Sequence, residues 1–300
     1  MATVDFTGII PPIVTPFHDD ETVDTEALRR EVDHQLSAGV HGICVTGTTG
    51  EGQTLSVTDS TEVARTVVEH VGGRVPVMAG IIQNSTRACV EYGRALADVG
   101  VDGLQVTPVH YLFQPGQDEI IGHYRAVTEE TGKPVIIYNV VPWAMVDVPT
   151  LVRMVTDVPA VVAVKQSGGD LHKVADLLAA LDGAPTRVLS AVDDLLYPSF
   201  TLGAHGSVSG TSSLAPGLVV RLWEAVRAED HATARELHRV MLPLWRSVEG
   251  ANMPALIKEC LRLQGRVVGV PRRPCDPPTP EQTERLRAAV SGAGLLAVAA

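Results

Sequence analysis

The sequence predicts a (β/α)8 barrel followed by a C-terminal helical extension. Eight short apolar runs recur about every 25 to 35 residues, the length of one strand–helix unit, and longer amphipathic stretches separate them. Runs such as Val135-Ile136-Ile137 are apolar without alternation, which is typical of parallel strands buried on both faces. Eight units also fit a closed barrel better than the alternative, an open doubly wound sheet, and no GxGxxG motif follows the first run.

The strands and helices of the barrel follow from these runs and from the helix stop signals between them. Asp24 precedes the first helix as an N-cap, and Gly39, Gly72 and Gly132 each follow the end of a helix. The predicted strands are residues 8–14, 42–46, 75–80, 103–107, 134–138, 161–165, 187–190 and 206–209. The predicted helices between them are residues 25–38, 58–71, 85–99, 116–131 and 170–181.

The alternation stops after residue 213. Four further helices are predicted with no strand between them, and residues 271–280 form a proline-rich connector. These helices are residues 216–229, 231–249, 253–263 and 279–290. We therefore expect a catalytic barrel over residues 1–220 and a helical region over residues 221–300.

Composition and charge exclude several classes of protein. Of 300 residues, 45% are hydrophobic and 20% are charged, as in an ordinary globular protein. The 35 acidic residues outnumber the 24 basic ones, which disfavours nucleic acids and anionic membranes as partners. No run of 18 apolar residues and no N-terminal signal segment occurs, so we expect a cytoplasmic protein.

Cysteine and histidine spacings give no metal motif. The four cysteines, Cys44, Cys89, Cys260 and Cys275, form no CxxC or CxxH pattern, so free thiols are expected. No HxxxH or HExxH pattern occurs either. No metal ion is therefore predicted.

Lys165 is the clearest candidate for a catalytic residue. It directly follows the apolar residues 161–164, at the C-terminal end of a predicted strand, where barrel enzymes place their active sites. Burial there disfavours the ammonium form, and a neutral amine attacks a ketone to form a Schiff base. The alternative is a lysine that forms an ion pair with a carboxylate at the strand end.

Polar residues at other strand ends are candidates for the same site. The GTTGE sequence of residues 47–51 offers backbone amides and the hydroxyls of Thr48 and Thr49, which suit a carboxylate or a phosphate. The alternative is a tight loop whose glycines serve the turn. Tyr138 ends a buried strand and would relay protons beside a lysine amine, unless it is a structural tyrosine.

Four motifs together resemble the dihydrodipicolinate synthase / N-acetylneuraminate lyase family, over nearly the whole chain. They are GTTGE at 47–51, YN at 138–139, VKQSGGDL at 164–171 and GAHGSVSGTSSLAP at 203–216. The resemblance implies a (β/α)8 barrel, a homotetramer built from two tight dimers, and class I aldolase chemistry on pyruvate or another 2-keto acid. It implies neither a metal nor an organic cofactor.

The resemblance also implies a role for each matching residue. Lys165 forms the Schiff base, and Tyr138 donates and accepts protons near the imine carbon. Thr48 links Tyr138 to a tyrosine from a neighbouring subunit, for which Tyr111 is the candidate. Thr48 and Thr49 hold the keto-acid carboxylate through their amides and hydroxyls, and Val208 offers its backbone carbonyl to the substrate. Gly47 and Trp143 are further candidates for substrate binding.

One position departs from the family pattern. Family members that make dihydrodipicolinate carry an arginine five residues after the tyrosine, where this chain has Trp143. An indole cannot hold a carboxylate as a guanidinium does. We therefore expect the second substrate to be a non-carboxylate or aromatic aldehyde. The alternatives are synthesis of 4-hydroxy-tetrahydrodipicolinate from pyruvate and aspartate semialdehyde, a sugar-acid dehydratase, and a sensor that binds a keto acid without turnover.

Overall fold

A ring of eight parallel strands forms the centre of the molecule. The computed structural model describes residues 4–168, 170–250 and 252–297. Gly169, in the predicted 164–171 motif, therefore lies outside the described residues, as do the ends of the two predicted regions. The strands are β1 (Gly8–Ile9), β2 (Ile43–Val45), β3 (Val77–Ile81), β4 (Gly103–Val106), β5 (Val135–Asn139), β6 (Val161–Gln166), β7 (Arg187–Ser190) and β8 (Gly206–Ser207).

The ring closes between β1 and β2. The sheet order is β1-β8-β7-β6-β5-β4-β3-β2, and Pro12 forms a parallel bridge with Cys44. The Cys44 amide donates to the Pro11 carbonyl, and the Ile13 amide donates to the Cys44 carbonyl, each at 2.9 Å. Because Pro11 and Pro12 lack an N–H, the first strand is shorter than the predicted residues 8–14. The predicted barrel is confirmed.

Helices cover the outside of the strand ring. All five predicted barrel helices form, and three short ones, α5, α7 and α8, were not predicted. They have ten, six and five residues, so each is shorter than the window over which a helical period can be recognised. The helices are α1 (Thr25–Ser37), α2 (Val57–Val71), α3 (Thr86–Asp98), α4 (Gln117–Thr131), α5 (Val148–Asp157), α6 (Leu171–Ala180), α7 (Leu196–Thr201) and α8 (Gly210–Leu214).

The C-terminal extension consists of four helices, as predicted. They are α9 (Pro216–Arg227), α10 (His231–Val248), α11 (Met253–Leu263) and α12 (Pro280–Gly292). The apolar faces of α11 and α12 form a second core with the end of α10, and Val14 and Leu214 of the barrel join it. The buried apolar residues of α9, and those of α10 up to Met241, belong to the main core instead. The division of the chain at residue 220 stays a prediction, and it falls inside α9. No helix in the described part of the chain is long and apolar enough to cross a membrane.

The interior of the barrel is packed mainly by apolar side chains, and Gln105 of β4 is buried at the level of Ile136. The interior cluster comprises Phe6, Ile10, Cys44, Met78, Ile136, Ala163, Leu189 and Val208. Tyr138 and Lys165 follow Ile136 and Ala163 by two residues on β5 and β6, so they face inward one level higher. This alternation places both functional groups above the mainly apolar interior, at the carboxyl ends of the strands.

Candidate active site

A cavity of about 440 Å³ opens at the carboxyl ends of the strands. The predicted residues that line it are Thr48, Thr49, Tyr138, Trp143, Lys165 and Val208. They come from loops and strand ends that lie far apart in the sequence. The barrel therefore gathers most of the sequence-predicted site at one place, where barrel enzymes carry their chemistry.

Lys165 lies at the floor of this cavity. Its side chain is enclosed, with 5% of the residue exposed, and its Nζ lies 4.1 Å from the centroid of the Tyr138 ring. The two residues are partners in the register of β5 and β6. Lys258 is the one lysine that forms an ion pair within the described residues. Lys165 therefore has no ion-pair partner among the described residues, and the alternative of an ion-paired lysine is not supported.

Tyr138 and Thr48 are joined by a hydrogen bond. The Tyr138 hydroxyl lies 2.8 Å from Thr48 Oγ1, and the Thr48 amide donates to the same hydroxyl oxygen at 3.4 Å. Tyr138 is 2% exposed, so its hydroxyl exchanges little with bulk water. The phenol thus lies between the lysine amine and a hydroxyl that can pass protons on.

The loop that carries Thr48 is held against β3. The Glu51 amide donates to the Thr48 carbonyl and the Gly52 amide to the Gly47 carbonyl, each at 3.0 Å. A Cβ at Gly80 would lie 2.9 Å from the Gly47 backbone nitrogen, so only glycine lets the loop approach this closely. The close approach leaves the hydroxyls and amides of Thr48 and Thr49 facing the cavity.

Val208 closes the cavity on the side of β8. It is fully buried, and its amide donates to the Ser190 carbonyl at 3.0 Å. The implied contact between the Val208 carbonyl and a substrate stays a prediction.

Trp143 lies at the mouth of the cavity, on a one-turn helix at Pro142–Ala144. It is 68% exposed, and its Nε1 donates to the His110 carbonyl at 2.9 Å. The indole therefore connects the loop after β5 to the loop after β4. No arginine is among the described residues that line the cavity.

Tyr111 does not line the cavity of its own chain. It is 72% exposed, and its amide donates to Asn84 Oδ1 at 2.8 Å. His110, the preceding residue, lines the cavity instead. Within one chain, Tyr111 is thus not brought to Thr48.

Thirteen of the lining residues were not among the predicted site residues, and Asp193, Trp245 and Met253 are three of them. Burial raises the pKa of Asp193 to about 6, although its Oδ1 accepts hydrogen bonds from the Thr211 amide at 2.6 Å and hydroxyl at 3.0 Å. Trp245 and Met253 reach the cavity from the C-terminal helices. The sequence could have indicated Asp193, because it follows the seventh predicted strand. Trp245 and Met253 lie in the helical extension, and nothing in the sequence indicates that they reach the cavity.

Similarity to known proteins agrees with this geometry. A family model, the dihydrodipicolinate synthetase family, matches residues 5–293. The chain belongs to this family. It is therefore a lyase of the class I aldolase type, as the motifs implied.

Named relatives of this family cover almost the whole chain. The 4-hydroxy-tetrahydrodipicolinate synthase of Methanospirillum hungatei JF-1 is 32% identical and covers 95% of this chain and 99% of its own. The enzyme of that name from Symbiobacterium thermophilum is 38% identical, with coverage of 97% and 99%.

Solved structures of the family have the same fold. Dihydrodipicolinate synthase from Aquifex aeolicus superposes with a TM-score of 0.91 at 29% identity, and covers 97% of this chain and 99% of its own. YagE, a prophage protein of the family from E. coli K12 in complex with pyruvate, gives a TM-score of 0.92 at 26% identity, with the same coverage.

Metal-ligand clusters are lacking in the part of the chain that the structure describes. No group of three or more His, Cys, Asp or Glu lies close enough to hold a metal ion there. The four cysteines are unpaired, and three of them are buried. The reactive groups that line the cavity are the Lys165 amine, the Tyr138 phenol, the hydroxyls, the His110 imidazole and the Asp193 carboxylate.

Proposed function

We propose that this family member acts on pyruvate or a related 2-keto acid through a Schiff base on Lys165, without a metal or an organic cofactor. The observation that carries the proposal is the chain of contacts from the unpaired Lys165 amine, over the Tyr138 ring, to the Thr48 hydroxyl. A site that only binds a keto acid needs no hydrogen-bonded phenol and hydroxyl beside an enclosed amine. The sensor alternative is therefore less well supported.

Each step of the reaction has a group in the cavity. The neutral Lys165 amine adds to the ketone carbon, and the ketone oxygen leaves as water once it has been protonated, which gives an iminium ion. The adjacent carbon then loses a proton or breaks a carbon–carbon bond to give an enamine. Tyr138 donates and accepts these protons, with Thr48 as its hydrogen-bond partner. The amides and hydroxyls of Thr48 and Thr49 bind the keto-acid carboxylate, and the Val208 carbonyl contacts the substrate.

Two candidates exist for the second substrate. The names of the relatives favour aspartate semialdehyde and the synthesis of 4-hydroxy-tetrahydrodipicolinate. The lining of the cavity favours an aldehyde without a carboxylate, because Trp143 stands where the arginine is expected and Asp193 adds a negative group. Trp143, Trp245 and Met253 suit an aromatic or apolar acceptor. From the lining of the cavity, we propose an aldehyde without a carboxylate as the second substrate.

A panel of acceptors distinguishes the two candidates. The enzyme is incubated with pyruvate and, separately, aspartate semialdehyde, an aromatic aldehyde and a hydroxyaldehyde, and a sugar acid is tested alone for dehydration. Mass spectrometry of the products should show condensation with an uncharged aldehyde at least about tenfold faster than with aspartate semialdehyde. The Trp143→Arg variant should reverse this preference. Faster turnover of aspartate semialdehyde by the unchanged protein would assign it the activity of its named relatives.

We further propose that the site is completed in a dimer. Three consecutive large apolar residues after β4, Tyr111, Leu112 and Phe113, are each more than 70% exposed. Such a patch is typical of an interface, and a neighbouring subunit would bring its Tyr111 to Thr48. A tetramer of two such dimers stays a prediction, as does the cytoplasmic location. One solved relative, at 28% identity and a TM-score of 0.92, is described as a monomeric variant, so the fold alone does not fix the oligomer.

A further inference from the structure

A buried ion pair connects the C-terminal helices to the catalytic loop. Lys258 Nζ, on α11, lies 2.7 Å from Glu51 Oε1, and the two side chains are 3% and 2% exposed. Lys258 also donates to the Val270 carbonyl at 2.7 Å, and its Nζ lies 4.3 Å from the centroid of the Phe17 ring. The Lys258 amine is thus fully engaged, and its principal partner is the last residue of the GTTGE sequence.

The second oxygen of Glu51 is also held by the C-terminal region. Glu51 Oε2 accepts a hydrogen bond from the Arg272 amide at 2.8 Å. The Arg272 guanidinium in turn donates to the Thr54 carbonyl and to Asp59 Oδ2, each at 2.9 Å. It therefore connects the segment after the GTTGE loop to the start of α2. Lys258 and Arg272 together fix the carboxylate of one loop residue from two directions.

The backbone of Glu51 connects its held carboxylate to the catalytic groups. Glu51 has a φ of 57°, in the left-handed region that a non-glycine residue rarely adopts. Its amide donates to the Thr48 carbonyl at 3.0 Å, and Thr48 Oγ1 lies 2.8 Å from the Tyr138 hydroxyl. A continuous series of contacts therefore runs from α11 through Glu51 and Thr48 to the catalytic phenol.

We infer that the C-terminal region positions the catalytic loop through Lys258 and Arg272, and thereby sets the affinity of the site for the carboxylate of its 2-keto acid. Lys258 touches neither the cavity nor the substrate, so it is a positioning residue. Without it, Glu51 would keep an unpaired buried charge and would draw the loop toward solvent. The amides and hydroxyls of Thr48 and Thr49 would then lose their alignment. This inference rests on the proposed function, because it concerns the same bound keto acid.

The chain contains a matched control for this ion pair. Arg266, also in the C-terminal region, forms a buried ion pair with Glu31 of α1, and the two side chains are 8% and 2% exposed. Arg266 Nη1 further donates to the Ser213 carbonyl at 3.1 Å. None of these partners belongs to the catalytic loop. Arg266→Met therefore removes a pair of similar burial without releasing Thr48.

The test measures borohydride-trapped adduct against pyruvate concentration in the full-length wild type, Lys258→Met and Arg266→Met, with thermal unfolding of each. Lys258→Met should raise the half-saturating pyruvate concentration about tenfold or more. This is the effect of losing one hydrogen bond from the displaced Thr48–Thr49 loop to the pyruvate carboxylate. The maximal rate should fall much less. Arg266→Met should lower the unfolding temperature and leave half-saturation unchanged. If Lys258→Met does not fold, Glu51→Gln serves in its place, with the same expectation.

Two results would overturn the inference. The first is that Lys258→Met and Arg266→Met have the same half-saturating pyruvate concentration, while the wild type is trapped normally. In that case the proposed function stands and the positioning role falls. If Glu51→Gln replaces Lys258→Met, the same comparison applies to it. The other is a wild type that traps no 2-keto acid at any concentration, which overturns both.

Discussion

Lys165 and Tyr138 meet because they occupy equivalent positions on neighbouring parallel strands. Their register pairing brings the amine to 4.1 Å from the ring centroid, above the apolar cluster of the barrel interior. The Asp193 carboxylate is near enough to interact electrostatically with the amine, but no carboxylate in the described residues forms an ion pair with it. The strand register alone therefore places the amine beside the phenol at the floor of the cavity.

Asp193 gives a pH-dependent prediction at the scale of one residue. Its folded-state pKa of about 6 lies above the ordinary value of 3.8, so ionisation is disfavoured in the native state. The stability that protonated Asp193 contributes is complete below pH 3.8 and is lost as the pH rises through about 6. Asp193→Asn should therefore raise the free energy of unfolding at pH 7.5, by up to about 2 kcal/mol, and have little effect at pH 4.

Thermal and urea unfolding at the two pH values check this prediction. Asn keeps an acceptor oxygen for the two Thr211 hydrogen bonds, so the comparison isolates the charge. Asp182→Asn, at an exposed aspartate, is the control and should change nothing at either pH. An equal effect of Asp193→Asn at both pH values would show that burial of its charge is not the cause.

At the scale of elements, the loop after β2 is shaped by glycines as well as by Glu51. A Cβ at Gly52 would lie 1.8 Å from the Thr46 carbonyl oxygen, a contact that the backbone can relieve only by moving the loop. Gly52→Ala should therefore lower the rate of imine formation about 100-fold, since displacements of about 1 Å have effects of this size. The rate is measured by adding borohydride at successive times after mixing with pyruvate and quantifying the trapped adduct.

A second glycine provides the control for that experiment. A Cβ at Gly122, within α4, would meet nothing within 4 Å, so Gly122→Ala should leave the rate unchanged and stabilise the helix slightly. Equal rates in Gly52→Ala and in the wild type would mean that the loop conformation does not govern the chemistry.

Elements were predictable from the sequence to the extent that their signals are local. Helices with clear caps, such as α1 behind Asp24, and strands with continuous apolar runs, such as β5, are confirmed. The helix α5 was missed because it has only ten residues, although Asp147 caps its start. Trp245 reaches the cavity only through the packing of α10 against the barrel, and no local pattern encodes that contact.

At the scale of the whole molecule, the proposed dimer makes Tyr111 a residue of the neighbouring site. The roles of Lys165 and Tyr111 then belong to different chains. Mixed dimers of Tyr111→Phe and Lys165→Ala should regain activity, because one of their two sites holds an intact Lys165 and receives an intact Tyr111. The sequence offered Tyr111 only as the candidate for a role that the family resemblance implies, because no local pattern specifies a contact with a second chain.

Refolding the two inactive variants together, followed by an activity assay, measures this complementation. About a quarter of wild-type activity is expected from a random equal mixture, since half of the dimers are mixed and each has one complete site. Each variant refolded alone is the control. No recovery in mixtures whose sedimentation shows dimers would place the function of Tyr111 within its own chain or outside catalysis.

The central claim is that the Lys165 amine forms the covalent bond to the keto acid, and reductive trapping tests it most directly. The protein is treated with pyruvate and borohydride, digested, and sequenced by mass spectrometry. We predict one reduced pyruvate per chain on the peptide that contains Lys165, the same adduct in Lys173→Ala, and none in Lys165→Ala. Trapping of Lys165→Ala as complete as that of the wild type, or an adduct on another lysine, would contradict the account.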